Sequence, residues 1–265
     1  MKPISLMNDG AAALVRWVLT DIDDTMTRDG VLVPAAYAAL CALKASGLRV
    51  VAVTGRSAGW GQVHLYEWPL DAVIAENGAV TYYRTPDGRD QGEFAFPTAA
   101  RNTEPALVEA ARRALAEVPR ARPASDNNLR LYDLAIDHAE RVSPPLSALE
   151  VERIVGIFAE AGCEARPSSI HVNCWKGSFD KRSAAVAYLS AFEGYDDGRD
   201  RDAVLYVGDA LNDEGMFEHF PNACAVANID RWLDRLMYLP AWVSRASYGE
   251  GFAEIAERIL SVRRA

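Results

Sequence analysis

The feature of this sequence that most constrains its fold is a series of short apolar runs separated by stretches with helical periodicity. The runs cover residues 17–22, 48–53, 72–75, 204–207, 223–227 and 241–244. Strands of a parallel sheet are buried on both faces and therefore read as continuous apolar runs, and helices connect them. Residues 34–46 fit such a helix, because Pro34 suits a first turn and Gly47 suits a helix end. The pattern predicts an α/β fold with a doubly wound parallel sheet.

Charge and composition narrow the range of partners. With a net charge of -9 over 265 residues, the average field repels a duplex-sized polyanion, so nucleic acid is not expected as a partner. No apolar run approaches the roughly 18 residues of a membrane span, so no membrane partner is expected. The cysteines form no close metal-binding pair and are interpreted as buried thiols in a reducing compartment. We therefore expect a cytoplasmic protein that acts on a small molecule, and the sequence carries no indication of its oligomeric state.

The middle of the chain departs from this alternation of apolar runs and helical stretches. Residues 83–175 read as an α+β unit inserted between the core segments 1–82 and 176–265. We predict one helix that opens at Thr103 and a second behind a capping box formed by Ser147 and Glu150. Residues 129–136 and 169–175 have the alternation and β-branched content of half-buried strands. The insert is therefore predicted to be a small antiparallel sheet backed by two helices.

Acidic and polar residues follow several of the predicted strands. Ligands bind at the carboxyl ends of strands in open parallel sheets, so one crevice could gather Asp21, Asp23, Thr54, Asp209 and Asp213. Each residue alone is better explained as a helix cap or turn former. Carboxylates at neighbouring strand ends repel one another unless a cation or ligand compensates them, and hard oxygen ligands suit Mg²⁺. Taken together, the residues indicate a magnesium site.

Four motifs in a fixed order carry a resemblance to a known family. Asp-x-Asp-x-Thr begins at Asp21, Thr-Gly-Arg begins at Thr54, Lys181 opens a helix, and Gly-Asp-x-x-Asn-Asp ends at Asp213. This combination spans most of the chain and resembles the signature of haloacid dehalogenase-type (HAD) phosphatases. The resemblance implies a Rossmann-like HAD core and an enzyme that hydrolyses phosphoric monoesters.

The resemblance also implies a role for each motif residue. Asp21 attacks phosphorus and becomes an aspartyl phosphate, and Asp23 protonates the leaving oxygen and later activates water. A covalent intermediate divides one difficult displacement into two, and one acid–base group can serve both halves. The other implied roles are phosphate binding by Thr54, Gly55 and Lys181, Mg²⁺ binding by Asp21, Asp209 and the backbone carbonyl of Asp23, and support by Asn212 and Asp213.

The sequence departs from the commonest HAD pattern in two places. Asp24 stands where many relatives have Gly, which adds negative charge but removes no catalytic group. Arg182 follows Lys181 in place of the usual Gly, and Lys176 lies nearby as a second candidate for the phosphate-binding lysine. Lys181 is preferred because residues 183–189 continue as a helix, and a helix N-terminus attracts phosphate. Lys176 is interpreted as a solvated residue of the linker.

The position of the insert indicates which branch of the family the sequence resembles. Far more residues separate Thr54 from Lys181 than Asp21 from Thr54, so the insert follows the second motif. This position and the predicted α+β insert resemble the type IIB branch with a C2B cap, which contains sucrose-phosphate, trehalose-phosphate and mannosyl-phosphoglycerate phosphatases. The resemblance implies a small phosphorylated substrate, in most members a sugar phosphate. Because both connections of the insert lie beside the phosphoryl site, we expect a mobile cap.

Alternation in the last cap strand places His171, Asn173 and Trp175 on one face. We hypothesise that this face, together with Asn77, contacts the substrate, with Trp175 stacking on a sugar ring. The alternative interpretation is a sheet face that is simply open to solvent.

Two other functions share these motifs. A phosphomannomutase-like phosphomutase also forms an aspartyl phosphate, but its bisphosphorylated intermediate needs a second cluster of cationic side chains. Arg130, Arg141 and Arg166 lie in the cap without forming an evident cluster in the sequence. A receiver-type signalling module accepts phosphate on an Asp without processing a metabolite. The second carboxylate at Asp23 and the large insert argue against that interpretation.

Overall fold

Fifteen short strands are divided among three sheets in this computed structural model, which describes residues 1–85 and 90–263. They are β1 (Lys2–Pro3), β2 (Trp17–Thr20), β3 (Thr27–Arg28), β4 (Val31–Leu32), β5 (Arg49–Val53), β6 (Ala72–Ala75), β7 (Val80–Arg84), β8 (Gln91–Ala95), β9 (Arg122–Pro123), β10 (Asp133–Asp137), β11 (Glu164–Pro167), β12 (His171–Trp175), β13 (Val204–Gly208), β14 (Asn222–Ala225) and β15 (Trp242–Val243). The central sheet has the order β1-β15-β14-β13-β2-β5-β6-β7-β8. Its pairings are parallel from β1 through β6, and β7 and β8 extend it with antiparallel pairs.

Helices cover both faces of the central sheet. The α-helices of the described residues are α1 (Asp9–Leu14), α2 (Pro34–Ala45), α3 (Ala58–Glu67), α4 (Pro105–Glu117), α5 (Ala148–Glu160), α6 (Lys181–Phe192), α7 (Glu214–His219) and α8 (Tyr248–Ser261). Leu40, Leu65 and Ile255 bring α2, α3 and α8 onto one face, whereas Tyr188 and Phe217 bring α6 and α7 onto the other. The sheet is therefore doubly wound, as predicted. Within the described chain, no helix combines the length and the apolar character that a membrane crossing requires.

The strands of the central sheet arise where the apolar runs predict them. β2, β5, β6, β13, β14 and β15 each overlap one of the six runs. In β2, Val18 packs in the core on one side of the sheet and Leu19 in the core on the other, which is why both neighbours in the sequence are apolar. The helix predicted over residues 34–46 is also confirmed, because α2 begins at Pro34 and ends shortly before Gly47, whose φ is +83°.

A second sheet with two helices forms a cap over one edge of the central sheet. Its four strands have the order β11-β12-β10-β9 and are antiparallel. α4 and α5 cover one face, where Leu107 and Phe158 pack against Ile136 and Val172. The other face of this sheet is turned toward the core. The predicted antiparallel sheet backed by two helices is therefore present.

Two local predictions in the cap were wrong. The first cap helix does not open at Thr103, because Glu104 is the N-cap and Pro105 is the first helical residue. Proline has a fixed φ that suits the first helical position, and this preference outweighs the capping hydroxyl two residues earlier. The strand predicted over 129–136 begins only at Asp133, because residues 127–129 form a short 3₁₀ turn.

The central sheet continues beyond the start predicted for the insert. β8 pairs along its length with β7, which pairs with β6. Val80 and Tyr82 of β7 pack in the core of the central sheet. Part of the range 83–175 therefore belongs to the central sheet, and the helices and strands of the cap run from α4 to β12.

A buried carboxylate connects the cap to the core. Glu76, in the turn after β6, is fully buried. Its Oε1 accepts hydrogen bonds from the backbone N–H of Ala58 in the core at 2.8 Å and of Leu131 in the cap at 2.9 Å. Its Oε2 accepts from Tyr132 at 2.7 Å and Asp133 at 2.9 Å. One side chain therefore satisfies four amides that come from both parts of the chain, which fixes the cap close to the end of β6.

We predict that Glu76→Gln lowers the free energy of unfolding by roughly 2–4 kcal/mol. An amide nitrogen cannot accept a hydrogen bond, so two buried N–H groups lose their acceptor, at about 1–3 kcal/mol each. Equilibrium unfolding in urea measures the change. Glu67→Gln, at an exposed position at the end of α3, is the matched control and should stay within about 0.5 kcal/mol of the original protein. Equal effects of the two substitutions would contradict the role of Glu76.

Candidate active site

The carboxyl ends of three adjacent strands bring the predicted catalytic residues together. β13, β2 and β5 are neighbours in the central sheet, and Asp209, Asp21 and Thr54 follow them directly. The N–H of Asp21 donates to the carbonyl of Val207 at 2.8 Å, so Asp21 continues the pairing of β2 with β13 before the chain turns. All three side chains are buried. These residues lie at the carboxyl ends of the strands, where parallel-sheet proteins bind ligands.

Lys181 joins two buried carboxylates at this edge. Its Nζ lies 3.0 Å from Oδ2 of Asp21 and 2.7 Å from Oδ1 of Asp213. Burial raises the pKa of Asp21 to about 7, although the ammonium of Lys181 acts in the opposite direction. Burial lowers the pKa of Lys181, but the two carboxylates outweigh it and hold this pKa above its ordinary value. Lys181 is therefore charged, and it is the first residue of α6, as predicted.

Asp213 is held by donors at both of its oxygens. Besides Lys181, the hydroxyl of Tyr206 donates to Oδ1 at 2.6 Å. The N–H groups of Asp209 and Ala210 donate to Oδ2 at 2.8 and 3.1 Å. A Cβ atom added at Gly208 would lie 2.4 Å from Oδ2 of Asp213, so this position of the motif requires glycine. Each oxygen of Asp213 therefore accepts from two protein donors, which uses both of its lone pairs, so Asp213 fits the supporting role that the resemblance implies.

Both carboxylate oxygens of Asp209 accept hydrogen bonds from side chains of the protein. The hydroxyl of Thr25 donates to its Oδ1 at 3.0 Å, and Asn228 and Arg231 each donate to its Oδ2 at 3.0 Å. Arg231 also donates to Oδ2 of Asp24 at 2.9 Å, so it offsets the extra negative charge of this position. Burial and then the neighbouring carboxylates raise the pKa of Asp209 well above its ordinary value.

Three carboxylates lie close enough together to suit a divalent cation. One oxygen from each of Asp21, Asp209 and Asp213 lies within 4.8 Å of the others, and Asp213 supports the group because its oxygens already accept from four protein donors. Oxygen is the ligand that Mg²⁺ prefers, and burial together with the neighbouring carboxylates holds the pKa of Asp209 above its ordinary value, although Arg231 acts in the opposite direction. A cation at this place would stabilise the ionised carboxylates.

Asp23 forms an ion pair with the arginine of the second motif. Nε of Arg56 lies 3.0 Å from both oxygens of Asp23, and NH2 lies 2.6 Å from Oδ1. Burial by itself raises the pKa of Asp23, but the guanidinium outweighs burial and holds this pKa below its ordinary value. In this state Asp23 is a carboxylate and therefore a base.

The loop between β5 and α3 lies in contact with the cap. A Cβ atom added at Gly55 would lie 2.8 Å from Nδ2 of Asn173, so glycine permits the close approach of cap and core. The carbonyl of Gly55 accepts from the guanidinium of Arg130 in the cap at 3.0 Å. The hydroxyl of Thr54 accepts from the N–H of Arg56 at 3.1 Å, which fixes the turn of the loop.

A cavity of about 260 Å³ lies between this loop, the carboxylates and the cap. Asp21, Asp23 and Asp209 border it from the core, and His171 and Asn173 border it from the cap. Two predicted substrate residues therefore lie at the same cavity as the predicted nucleophile. His171 Nε2 lies 3.1 Å from Oε2 of Glu140, a further residue of the cavity wall.

The other two predicted substrate residues, Trp175 and Asn77, border a different cavity of about 430 Å³, which Lys181 also borders, and Asn212 borders both cavities. The side chain of Asn77 also lies close to Gly55, because a Cβ atom added at Gly55 would lie 3.2 Å from Nδ2 of Asn77. Trp175 is 2% exposed and stacks on Phe179, with ring centroids 5.5 Å apart. Trp175 and His171 border different cavities because they are four residues apart in the strand, which corresponds to about 13 Å. One face of β12 therefore serves two cavities.

The two candidate lysines are clearly separated in the structure. Lys176 donates to the carbonyl of Gly162 at 2.6 Å, at the end of a cap helix. It therefore bridges two parts of the cap and lies away from the carboxylates.

Several residues of the site were not assigned by sequence reasoning. Arg56 stands inside the Thr-Gly-Arg motif and Glu76 directly follows the apolar run 72–75, but neither position indicates its partner. Arg231 follows β14 at no recognisable spacing, and Glu140 lies in a loop between predicted elements. Their contacts depend on tertiary structure, which no local pattern in the sequence encodes.

No protein-family model matches the sequence, and no curated protein matches it. Solved structures match it in fold. A protein from Thermoplasma acidophilum has a TM-score of 0.72 at 19% identity, covering 93% of this chain and 98% of that one. A HAD subclass IIB sugar phosphatase has a TM-score of 0.64 at 15% identity, covering 94% and 100%. The sucrose-phosphatase of Synechocystis, solved with sucrose and phosphate, has a TM-score of 0.61 at 17% identity, covering 92% and 97%. The chain therefore has the fold of the HAD superfamily, in the capped form of its subclass IIB.

Proposed function

We propose that this protein is a Mg²⁺-dependent phosphatase that hydrolyses a small phosphorylated metabolite, foremost a sugar phosphate, through an aspartyl phosphate on Asp21. The observation that carries the proposal is that Asp21, held by Lys181, borders the same cavity as Asp23. The comparisons support the choice of substrate class, because two proteins of the same fold are described as a sugar phosphatase and a sucrose-phosphatase.

The first half-reaction joins a carboxylate oxygen of Asp21 to phosphorus. The bond between phosphorus and the leaving oxygen breaks, and this oxygen takes a proton from Asp23 and departs as the alcohol. Lys181 lies 3.0 Å from Oδ2 of Asp21, and the N–H of Ile22 donates to Oδ1 at 2.8 Å, so the nucleophile is held in one orientation. The ammonium also supplies positive charge beside the phosphoryl oxygens.

The second half-reaction releases phosphate. A water molecule transfers a proton to Asp23 and attacks phosphorus, and the bond between phosphorus and Asp21 breaks. Inorganic phosphate leaves, Asp21 is again a carboxylate, and Asp23 carries the proton that the next leaving group needs. One carboxyl group therefore serves as acid and as base in turn.

Arg56 controls which form of Asp23 is present. Its ion pair favours the carboxylate, which is the form that accepts a proton from water. A bound phosphate ester brings negative charge next to Asp23 and competes for Arg56, and both effects raise the pKa of Asp23. Substrate binding therefore favours the protonated form that the first half-reaction requires.

The metal site follows from the same carboxylates. Asp21, Asp209 and the backbone carbonyl of Asp23 would hold Mg²⁺, with Asp213 and Asn212 in support. When bound, the ion neutralises negative charge on the phosphoryl group. Hydrogen bonds from Thr25 and Asn228 hold the carboxylate of Asp209 in a fixed orientation within the site.

The distribution of arginines in the cap supports a phosphatase over a phosphomutase. Arg130 is buried and paired with Asp126 and Asp133. Arg166 borders the cavity of about 430 Å³. Arg141 borders the cavity of about 260 Å³ and has no ion-pair partner among the described residues. One guanidinium is a poor match for the second phosphate of a bisphosphorylated sugar.

The first test concerns Asp23. We predict that Asp23→Asn slows hydrolysis of an alkyl sugar phosphate by roughly 10²- to 10⁴-fold, the usual range for a positioned acid–base group. The first half-reaction of nitrophenyl phosphate should suffer less, because nitrophenolate departs without protonation. Single-turnover measurements with both esters give the comparison, and Asp234→Asn at an exposed position is the control. Equal losses on both esters would show that Asp23 is not the acid.

The second test concerns the metal site and uses stability as its readout. Saturating Mg²⁺ should stabilise the original protein, by about 2.7 kcal/mol at a concentration a hundredfold above Kd, and raise its Tm. Asp209→Asn should lose most of this shift, because it removes an anionic ligand, and should be at least as stable as the original without metal, because it removes buried negative charge. Thermal melts with Mg²⁺ and with chelator measure both effects. A full shift in the variant would contradict the role of Asp209.

A further inference from the structure

The wall of the active-site cavity contains a single indole. Most residues that border the cavity of about 260 Å³ are polar or charged, and Trp60 and Ile170 are the large apolar side chains among them. Trp60 belongs to α3 of the core, about one helical turn after Arg56. Its side chain is 38% exposed although it lies in a recess of the protein. A part-exposed indole at the wall of a cavity offers a flat apolar surface to a bound ligand.

Aromatic and cationic side chains contact the indole of Trp60. His64 stacks on Trp60 with ring centroids 5.5 Å apart, and Trp68 stacks on His64 at 4.1 Å. The guanidinium of Arg56 lies 5.6 Å from the Trp60 centroid and reaches Asp23 with its other side. These contacts hold the indole of Trp60 in place, so a ligand meets a preformed surface.

The cap presents hydrogen-bonding groups across the same cavity. Glu140 and His171 lie 3.1 Å apart there. The carboxylate of Asp137 accepts from the N–H groups of Ala139, Glu140 and Arg141 at 3.1, 2.9 and 3.0 Å. The loop that carries Glu140 is therefore fixed by its own backbone bonds. A carboxylate and an imidazole at fixed positions suit hydroxyl groups, which donate and accept.

The charges of the cap wall are balanced. Asp126 and Arg130 form an ion pair, and Arg141 lies close enough to Glu140 to lower the pKa of Glu140, after the hydrogen bond from His171. Arg141 is therefore opposed by the negative charge of Glu140, and this single guanidinium is a poor match for a second anionic group. A neutral leaving group with hydroxyls on its edge and an apolar face matches these walls, and a sugar in its ring form has both features.

We propose that Trp60 is a specificity-determining residue that packs against the apolar face of a sugar ring, so that the enzyme selects ring-form neutral sugar phosphates over acyclic polyol phosphates. The proposal rests on the phosphatase function proposed above and names its substrate class. It also moves the aromatic contact from Trp175 in the cap, where sequence alternation placed it, to a helix of the core.

The experiment compares esters that differ in the ring alone. Glucose and mannose phosphates, esterified at the primary hydroxyl, are paired with the sorbitol and mannitol phosphates made by reducing them, and nitrophenyl phosphate reports turnover in general. We expect the original protein to prefer a ring ester over its open partner by tenfold or more in kcat/KM. Trp60→Ala should remove this preference through a higher KM for the ring ester and change the open ester by less than threefold. Trp60→Phe should restore most of the preference.

Tyr66→Ala is the matched control, because Tyr66 is an exposed aromatic on the same helix and lies outside the cavity wall. It should leave both esters unchanged. A parallel loss of kcat on both esters in Trp60→Ala would overturn the proposal and assign Trp60 to the support of Arg56, and no loss on either would also overturn it. Hydrolysis of nitrophenyl phosphate without any ring preference in the original protein would refute the substrate class but leave the phosphatase function standing. Failure to hydrolyse any ester would refute both.

Discussion

The buried ammonium of Lys181, set between the carboxylates of Asp21 and Asp213, is the interaction on which the active site depends. Removing several carboxylates from water at one sheet edge is costly, and their mutual repulsion adds to the cost. Lys181 offsets part of this charge, Arg231 and Arg56 offset more at Asp209 and Asp23, and the site retains a negative surplus that a divalent cation fits. Burial raises the pKa of Asp21 to about 7, and the nearby carboxylates of Asp213 and Asp23 act in the same direction.

The position of the cap follows from a second buried carboxylate. Glu76 accepts hydrogen bonds from amides of core and cap, and Arg130 of the cap donates to the carbonyl of Gly55 in the loop between β5 and α3. Both contacts join the cap to core segments that directly follow β5 and β6, so the cap is fixed close to the candidate site. A wide opening of the cap would break these buried bonds, which makes small adjustments near His171 less costly than rotation of the whole cap.

Sequence patterns predicted the parts of this structure that local physics determines. Continuous apolar runs identified the central strands, the Ser147–Glu150 capping box identified the second cap helix, and the helix at Lys181 distinguished it from Lys176. Alternation correctly put His171 and Asn173 on one face, but it carries no information on distance, so Trp175 was assigned to a cavity it does not reach. The pairing of Arg231 with Asp209 and the exposure of Trp60 at the cavity depend on packing between elements far apart in the chain, and these were not predictable.

The measurement that tests this account most directly is detection of the phosphorylated nucleophile. The protein is mixed with a phosphate ester in excess, quenched in acid within one turnover, digested, and examined by mass spectrometry. The account predicts a peptide that carries one additional phosphoryl group on Asp21, absent without substrate and absent in Asp21→Asn, whose amide keeps the volume of the side chain but does not attack phosphorus. Phosphate release by the original protein with no phosphopeptide at Asp21, or undiminished release by Asp21→Asn, would contradict it.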